Sequence, residues 1–235
     1  MEAAMKRTVT LHEATHIYTD DLGRRYQSVG SLVKRFVPPF DPDGTIVERY
    51  AAKHGRTVAS VAADWKEEGR VANAFGHCVH RAIQMWAQTG IENGQATAEV
   101  QSLVKVLPHK WTYFSERILF NENALLAGTA DLLDWDAGRR TVDIFDFKTN
   151  KKLVKINDWD RYLLPPLDQM PDNNWSHYCL QLNLYRWLLE RRGVTVPSMT
   201  LLWLNRATSR WEPHLVPRLE PETEMMIATL RKNNA

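Results

Sequence analysis

The sequence predicts an α/β fold in which one mixed sheet is flanked by helices, and three observations predict it. Helical periodicity dominates residues 43 to 108, three alternating apolar stretches follow, and a helix with two more strands comes after them. Helices, then a strand meander, then helix and strands again call for strands that run in both directions, hence a mixed sheet. The 235 residues, 44% apolar and 25% charged, suffice for one continuous core and leave no long tract too polar to fold. One domain is expected over 1–235, with an N-terminal hairpin and helical region in 1–70, the core in 71–218 and a last helix in 219–235.

Residues 7 to 29 alternate as two strands, TVTLHEATHIYTD and RRYQSV, around the turn-forming cluster Asp20-Asp21-Leu22-Gly23, which reads as a β-hairpin. Ser28 is placed to cap a short helix carrying Leu32, Val33 and Phe36, and Pro38-Pro39 stops it because proline offers no amide hydrogen. Val58, Val61, Ala62 and Trp65 share one helical face. Another helix carries Ala72, Phe75, Gly76, Val79, Ile83 and Trp86, with Gly90 as its stop. From Tyr113 the strands YFSERILF, LAGTADLLDW and TVDIFDF are separated by Asn121-Glu122-Asn123 and Asp136-Ala137-Gly138, an antiparallel meander. A polar, proline-containing connection runs from Lys151 to Asp172, and its Leu163-Leu164-Pro165-Pro166-Leu167 stretch reads as a lid or a connector. A helix from about Asn174 to Arg192, the strands MTLLWLNRA and WEPHLV, and a helix near 221 to 232 complete the chain.

The net charge of +2 neither requires nor excludes a polyanionic partner, because carboxylates at a metal and basic residues at phosphates cancel in the sum. The two cysteines, Cys78 and Cys179, form no CxxC pair that would point to zinc or redox chemistry. No apolar leader and no run of about 18 apolar residues is present, so a cytoplasmic protein without membrane contact is expected.

Asp131 closes Gly128-Thr129-Ala130-Asp131, and Asp146 with Lys148 lies in Asp146-Phe147-Lys148-Thr149, each at the end of an apolar strand. Strand alternation puts Asp146 and Lys148 on one face and turns Phe147 into the core. If the two strands are neighbours, Asp131 lies alongside Asp146 and two oxygen ligands suit Mg2+ or Mn2+. Lys148 beside a metal-bound water would position the nucleophile and offset charge on a phosphate. An ordinary salt bridge at a strand end also fits Asp-x-Lys, and the two readings stay open on spacing alone.

These motifs resemble the PD-(D/E)XK nuclease superfamily, in its RecB-like branch that includes the mitochondrial genome maintenance exonuclease and many phage nucleases. The resemblance covers residues ~70 to 190 and rests on five motifs in the family's order. They are Gly76 to His80, Glu116 in SERILF, Gly128 to Asp131, Asp146 to Lys148, and Gln181 to Tyr185. It implies a restriction-endonuclease-like core, with His80, Asp131, Asp146 and the Phe147 carbonyl as ligands of one or two Mg2+ or Mn2+ ions. Lys148 is implied as the catalytic lysine, and Gln181 and Tyr185 as residues that line the site and orient the lysine or the phosphate. Some relatives hold an iron–sulfur cluster on four cysteines, and this chain is expected to hold none.

Alternation puts Glu116 on the face of Ile118 and Phe120, at the strand edge or near metal. His77 reads as a surface or substrate-proximal residue off the motif. Substrate contacts are expected from Glu116, Thr149, Lys151, Lys152, Trp159 and Tyr162, because basic residues meet phosphates and aromatic rings stack on unpaired bases; a solvated loop fits the last four as well. The expected activity is metal-dependent DNA hydrolysis, most simply by an exonuclease on free or single-stranded ends, in recombination, repair or processing. Recombination or single-strand-binding proteins are the expected partners, in a bacterial or phage-infected cell. An endonuclease on the same fold, a binding factor that has lost catalysis, and an RNA substrate are the rivals.

Overall fold

The first residues of the computed structural model fold as three short strands, β1 (Val9–His12), β2 (Ile17–Asp20) and β3 (Arg25–Ser28), paired antiparallel in sequence. Residues 7–39, 45–90, 96–108, 112–157 and 160–233 are described. The expected first strand is therefore two. The chain reverses at Glu13–His16, where the Thr15 N–H bonds to the His12 carbonyl at 3.2 Å and His16 takes a φ of 53°. Glu-Ala-Thr-His carries none of the Gly, Pro, Asn or Asp turn signals, so alternation reads straight through it. The next turn is the expected one: Asp20 Oδ1 accepts the N–H groups of Leu22 (3.0 Å) and Arg24 (2.9 Å), and Gly23 supplies a φ of 76°.

Helix α1 (Val29–Lys34) starts on Ser28, whose side chain accepts the Ser31 N–H at 3.0 Å, and it buries Leu32 and Val33. Then come α2 (Thr45–Lys53) and α3 (Val58–Thr89), the latter one unbroken helix of 32 residues through the stretch read as separate helices. Its N-terminal half packs on α2 through Val61 and Trp65, against Val47 and Ala51. Its C-terminal half buries Val79, Ile83 and Trp86 and ends on Gly90 in the left-handed region. After α4 (Thr97–Val104) the meander β4 (Thr112–Asn121), β5 (Leu126–Asp136) and β6 (Thr141–Lys148) forms as expected. Helix α5 (Asn174–Glu190), strands β7 (Met199–Asn205) and β8 (Arg210–Leu215), and α6 (Glu220–Asn233) follow. The protein is thus α/β, with a mixed eight-stranded sheet and six helices among the described residues.

The sheet runs β1-β2-β3-β5-β6-β7-β8, with β4 on the other edge of β5; β3–β5 and β6–β7 are parallel and the remaining pairs antiparallel. One face is covered by α1, α5 and α6 over Leu126, Ile144 and Leu201, the other by α3 and α4 over Leu132, Phe147 and Leu202. A fork opens in the middle. Strand β5 pairs with β3 through Leu126 and Ala127, and with β6 only from Leu132 onward, leaving Gly128 to Asp131 between the two partners.

The connection after β6 is a connector packed on the body. Leu163 and Leu167 are buried in the α5-side core, and the Leu164 N–H bonds to the Phe36 carbonyl at 2.7 Å. No helix among the described residues is long and apolar enough to cross a membrane.

Candidate active site

At the fork, side chains take over from the missing strand pairing. The Phe147 N–H donates to Asp131 Oδ2 at 2.8 Å, so the carboxylate at the end of the GTAD segment bridges to β6. The Phe147 carbonyl lies 3.1 Å from His80 Nε2, on the C-terminal half of α3, while the Phe147 ring is buried against Trp211. His80 Nδ1 faces Asp131 Oδ2 at 3.7 Å and Glu116 Oε1 at 3.9 Å. Burial would lower the His80 pKa, but the Asp131 charge and the hydrogen bond with Glu116 outweigh it and raise it to about 9. The neighbouring carboxylates thus favour a proton on His80, one that the imidazole must give up to ligate a cation.

Asp146 and Lys148 share a face of β6, as alternation requires, and form an ion pair at 2.5 Å. Burial pushes the Asp146 carboxyl up to about 6 against the pull of Lys148, with the Asp131 charge adding to the rise. For Lys148 burial works toward a lower pKa, yet Asp146 and then Asp131 prevail and hold the ammonium protonated. Its Nζ also lies over the Tyr178 ring at 4.9 Å from the centroid. Gln181 Nε2 donates to Asp146 Oδ1 (3.2 Å) and to the Tyr185 hydroxyl (3.0 Å), so Gln181 meets the β6 carboxylate and links Tyr185 to it.

Two glycines make this approach geometrically feasible. A Cβ at Gly128 would meet Tyr185 Cε1 at 2.7 Å and Val29 Cγ2 at 2.9 Å, so only glycine lets the Tyr185 ring lie against β5. A Cβ at Gly76 would sit 3.1 Å from Thr149 Oγ1, which brings α3 close to the end of β6.

Glu116 departs from the expected alternation. Its φ of 50° lies in the left-handed region, inside a strand, at the site itself. Alternation inverts around it: Tyr113 packs in the α3–α4 core, whereas Leu119 belongs to the α5-side core. The carboxylate thereby joins His80 and Asp131, with one ligand atom from each within 4.8 Å of the others. Glu116 enters the cluster, Asp146 is engaged by Lys148 and Gln181, and the Phe147 carbonyl is engaged by His80. Two carboxylates and one imidazole suit Mn2+ or Mg2+, and the Asp146 carboxylate nearby has its Oδ2 on the Lys148 ammonium.

A cleft of about 1070 Å³ opens over the cluster, walled by the β1–β2 turn on one side and α3 on the other. Thr149, Gln181 and Tyr185 line it together with Glu116 and Asp131. So do Tyr18, whose hydroxyl lies 2.8 Å from Thr129 Oγ1, and the exposed His77 and Arg81 of α3. The segment expected to track a strand is elsewhere. Lys151 is paired with Glu68 at 2.9 Å, the exposed Lys152 offers its carbonyl to Asn174, and Tyr162 bridges to Pro171; none of the three lines the cleft. These residues follow the site in sequence but leave along the connector, away from its wall. Trp159 lies outside the described residues. Arg206 was not anticipated: it comes from the β7–β8 turn, and its Nε donates to the Thr149 carbonyl at 2.8 Å. Nothing in the local pattern around Asn205-Arg206 marks it, because the parallel pairing of β6 with β7 creates the contact.

No family model and no curated protein matches the chain. Among solved structures, one described as the crystal structure of SSO0001 aligns with 89% of this chain and 76% of its own, at 14% identity and a TM-score of 0.36. That likeness is too distant to carry fold or function.

Proposed function

We propose that the protein is a divalent-metal-dependent deoxyribonuclease with a PD-(D/E)XK core, acting as an exonuclease on free or single-stranded DNA ends. One observation carries the proposal: residues from five sequence motifs, on α3, β4, β5, β6 and α5, converge on the fork and contact one another. A strand-end salt bridge between Asp146 and Lys148 would have no need of the Gln181–Tyr185 pair or of a left-handed Glu116.

His80, Glu116 and Asp131 would hold the ion, with Asp146 beside them; bound there, a divalent cation supplies Lewis-acid polarisation of a phosphate oxygen and lowers the pKa of a water. The Lys148 ammonium is a fixed positive charge aligned by Asp146 and Tyr178, suited to orient a scissile phosphate and offset the charge that grows on it. Gln181 keeps Asp146 in place, and Tyr185, a neutral phenol raised well above its usual pKa by burial and by Asp146 and Asp131, anchors Gln181. The cleft, about 1070 Å³, stands at the top of the roughly 300–1,000 Å³ range of small-molecule pockets and has room for a segment of strand.

The test is incubation of end-labelled single-stranded, double-stranded and circular DNA with the protein in Mg2+, Mn2+ or EDTA, beside a folded Lys148→Ala variant. Metal-dependent release of nucleotides from linear DNA, absent in the variant and on circles, is the expected result. Cutting of circles would make it an endonuclease. Inert wild-type protein that still binds DNA would leave a binding factor in place of the enzyme.

A further inference from the structure

A smaller cavity of about 210 Å³ adjoins the main cleft, with His80 and Thr149 as walls common to both. Lys148, Asn150 and Arg206 belong to this second space. Arg206 is exposed but not loosely held. Its Nε is fixed on the Thr149 carbonyl, and its guanidinium lies over the Phe75 ring of α3, 4.4 Å from the centroid. The turn that carries it is pinned too, since Asn205 Oδ1 accepts the Ala207 N–H at 3.0 Å and Asn205 Nδ2 donates to Glu212 at 2.8 Å.

Among the described residues Arg206 makes one hydrogen bond, through Nε, of the five its N–H donors allow. A guanidinium oriented by a carbonyl and a ring, with its terminal nitrogens uncommitted, matches the fork geometry with which arginine takes a phosphate. Its orientation is set in advance, so less side-chain freedom is lost on binding. The space is smaller than a typical small-molecule pocket, which suits a single phosphate with its sugar.

We infer that Arg206 forms a subsite for the backbone phosphate adjacent to the one being cleaved. The inference rests on the nuclease reading: the main cleft takes the body of the strand, and this second cavity takes the nucleotide on the other side of the scissile bond. The subsite then fixes register, which the metal-binding cluster alone cannot do.

Steady-state cleavage of a short single-stranded oligonucleotide in Mg2+, over a range of salt, tests it with wild type, Arg206→Ala and Arg206→Lys. Loss of one phosphate contact is expected to raise KM about tenfold in Arg206→Ala. It should also flatten the slope of log(kcat/KM) against log[salt] by about 0.7. Arg206→Lys should recover the salt slope but only part of the KM, because an ammonium lacks the two-pronged contact. Wild-type KM and slope in a cleaving Arg206→Ala protein would overturn the subsite and leave the nuclease standing. A wild type that cleaves nothing would remove the nuclease reading, and the subsite with it.

Discussion

Asp20, in the β2–β3 turn, and Asp146, at the β5–β6 fork, are both buried carboxylates, and their surroundings treat them in opposite ways. Burial would raise the Asp20 pKa, but the Arg24 guanidinium, the N–H groups of Arg24 and Leu22 and the Tyr26 hydroxyl hold it down at about 2. Asp146 has a side-chain amide on one oxygen and an ammonium near the other, and burial leaves its carboxyl at about 6. The turn carboxylate is spent on holding backbone in place. The fork carboxylate has fewer donors and lies beside a lysine and the Asp131 carboxylate, an arrangement that suits chemistry better than structure.

Substitutions break or sharpen that contrast, beginning with the largest effect. Asp131→Asn keeps an acceptor for the Phe147 N–H but removes a charge from the cluster; DNA cleavage should fall about a thousandfold with the melting temperature little changed. Cleavage at the wild-type rate would mean the fork is structural, like the turn. Gln181→Ala takes away the amide that fixes Asp146 and should lower kcat about 10- to 100-fold, leaving oligonucleotide affinity near wild type. Gly128→Ala forces Tyr185 off β5, and chemical denaturation should show a loss of about 1–3 kcal/mol.

The smallest effect belongs to the turn. Asp20→Asn should lower thermal stability while leaving the rate of DNA cleavage at permissive temperature unchanged. The pH dependence follows from the depressed pKa. A carboxylate that ionises more readily folded than unfolded stabilises the fold above its ordinary value of 3.8, and that contribution is lost as pH falls toward about 2. Wild type should therefore lose more stability than Asp20→Asn over that acid range, and parallel melting curves would show the turn carboxylate to be idle.

Local pattern carried much of this into the sequence. Asp146, Phe147 and Lys148 were legible because a regular strand alternates; Asp131, expected at the end of an apolar strand, lies in the middle of β5, which runs on through Leu132 and Leu133 to Asp136. Ser28, the Asp20–Gly23 turn and Gly90 were legible as caps and turns with dedicated residue types. Glu116 was legible as a carboxylate at the strand edge or near metal, and alternation could not choose between the two because its positive φ breaks the pattern that locates side chains. The Glu13–His16 turn was hidden because its residues carry no turn signal. Arg206 was beyond reach, its place at the site set by a pairing between strands far apart in sequence. Lys151, Lys152 and Tyr162 follow the site along the chain without lining the cleft, since nearness in sequence does not fix nearness in space.

The central claim is that His80, Glu116 and Asp131 are grouped for a divalent cation, and calorimetric titration of Mn2+ into the wild type and the Asp131→Asn variant tests it most directly. The account predicts saturable binding of one or two ions by the wild type and its loss in a variant that melts as the wild type does. Equal binding by both proteins, or none by either, would contradict it.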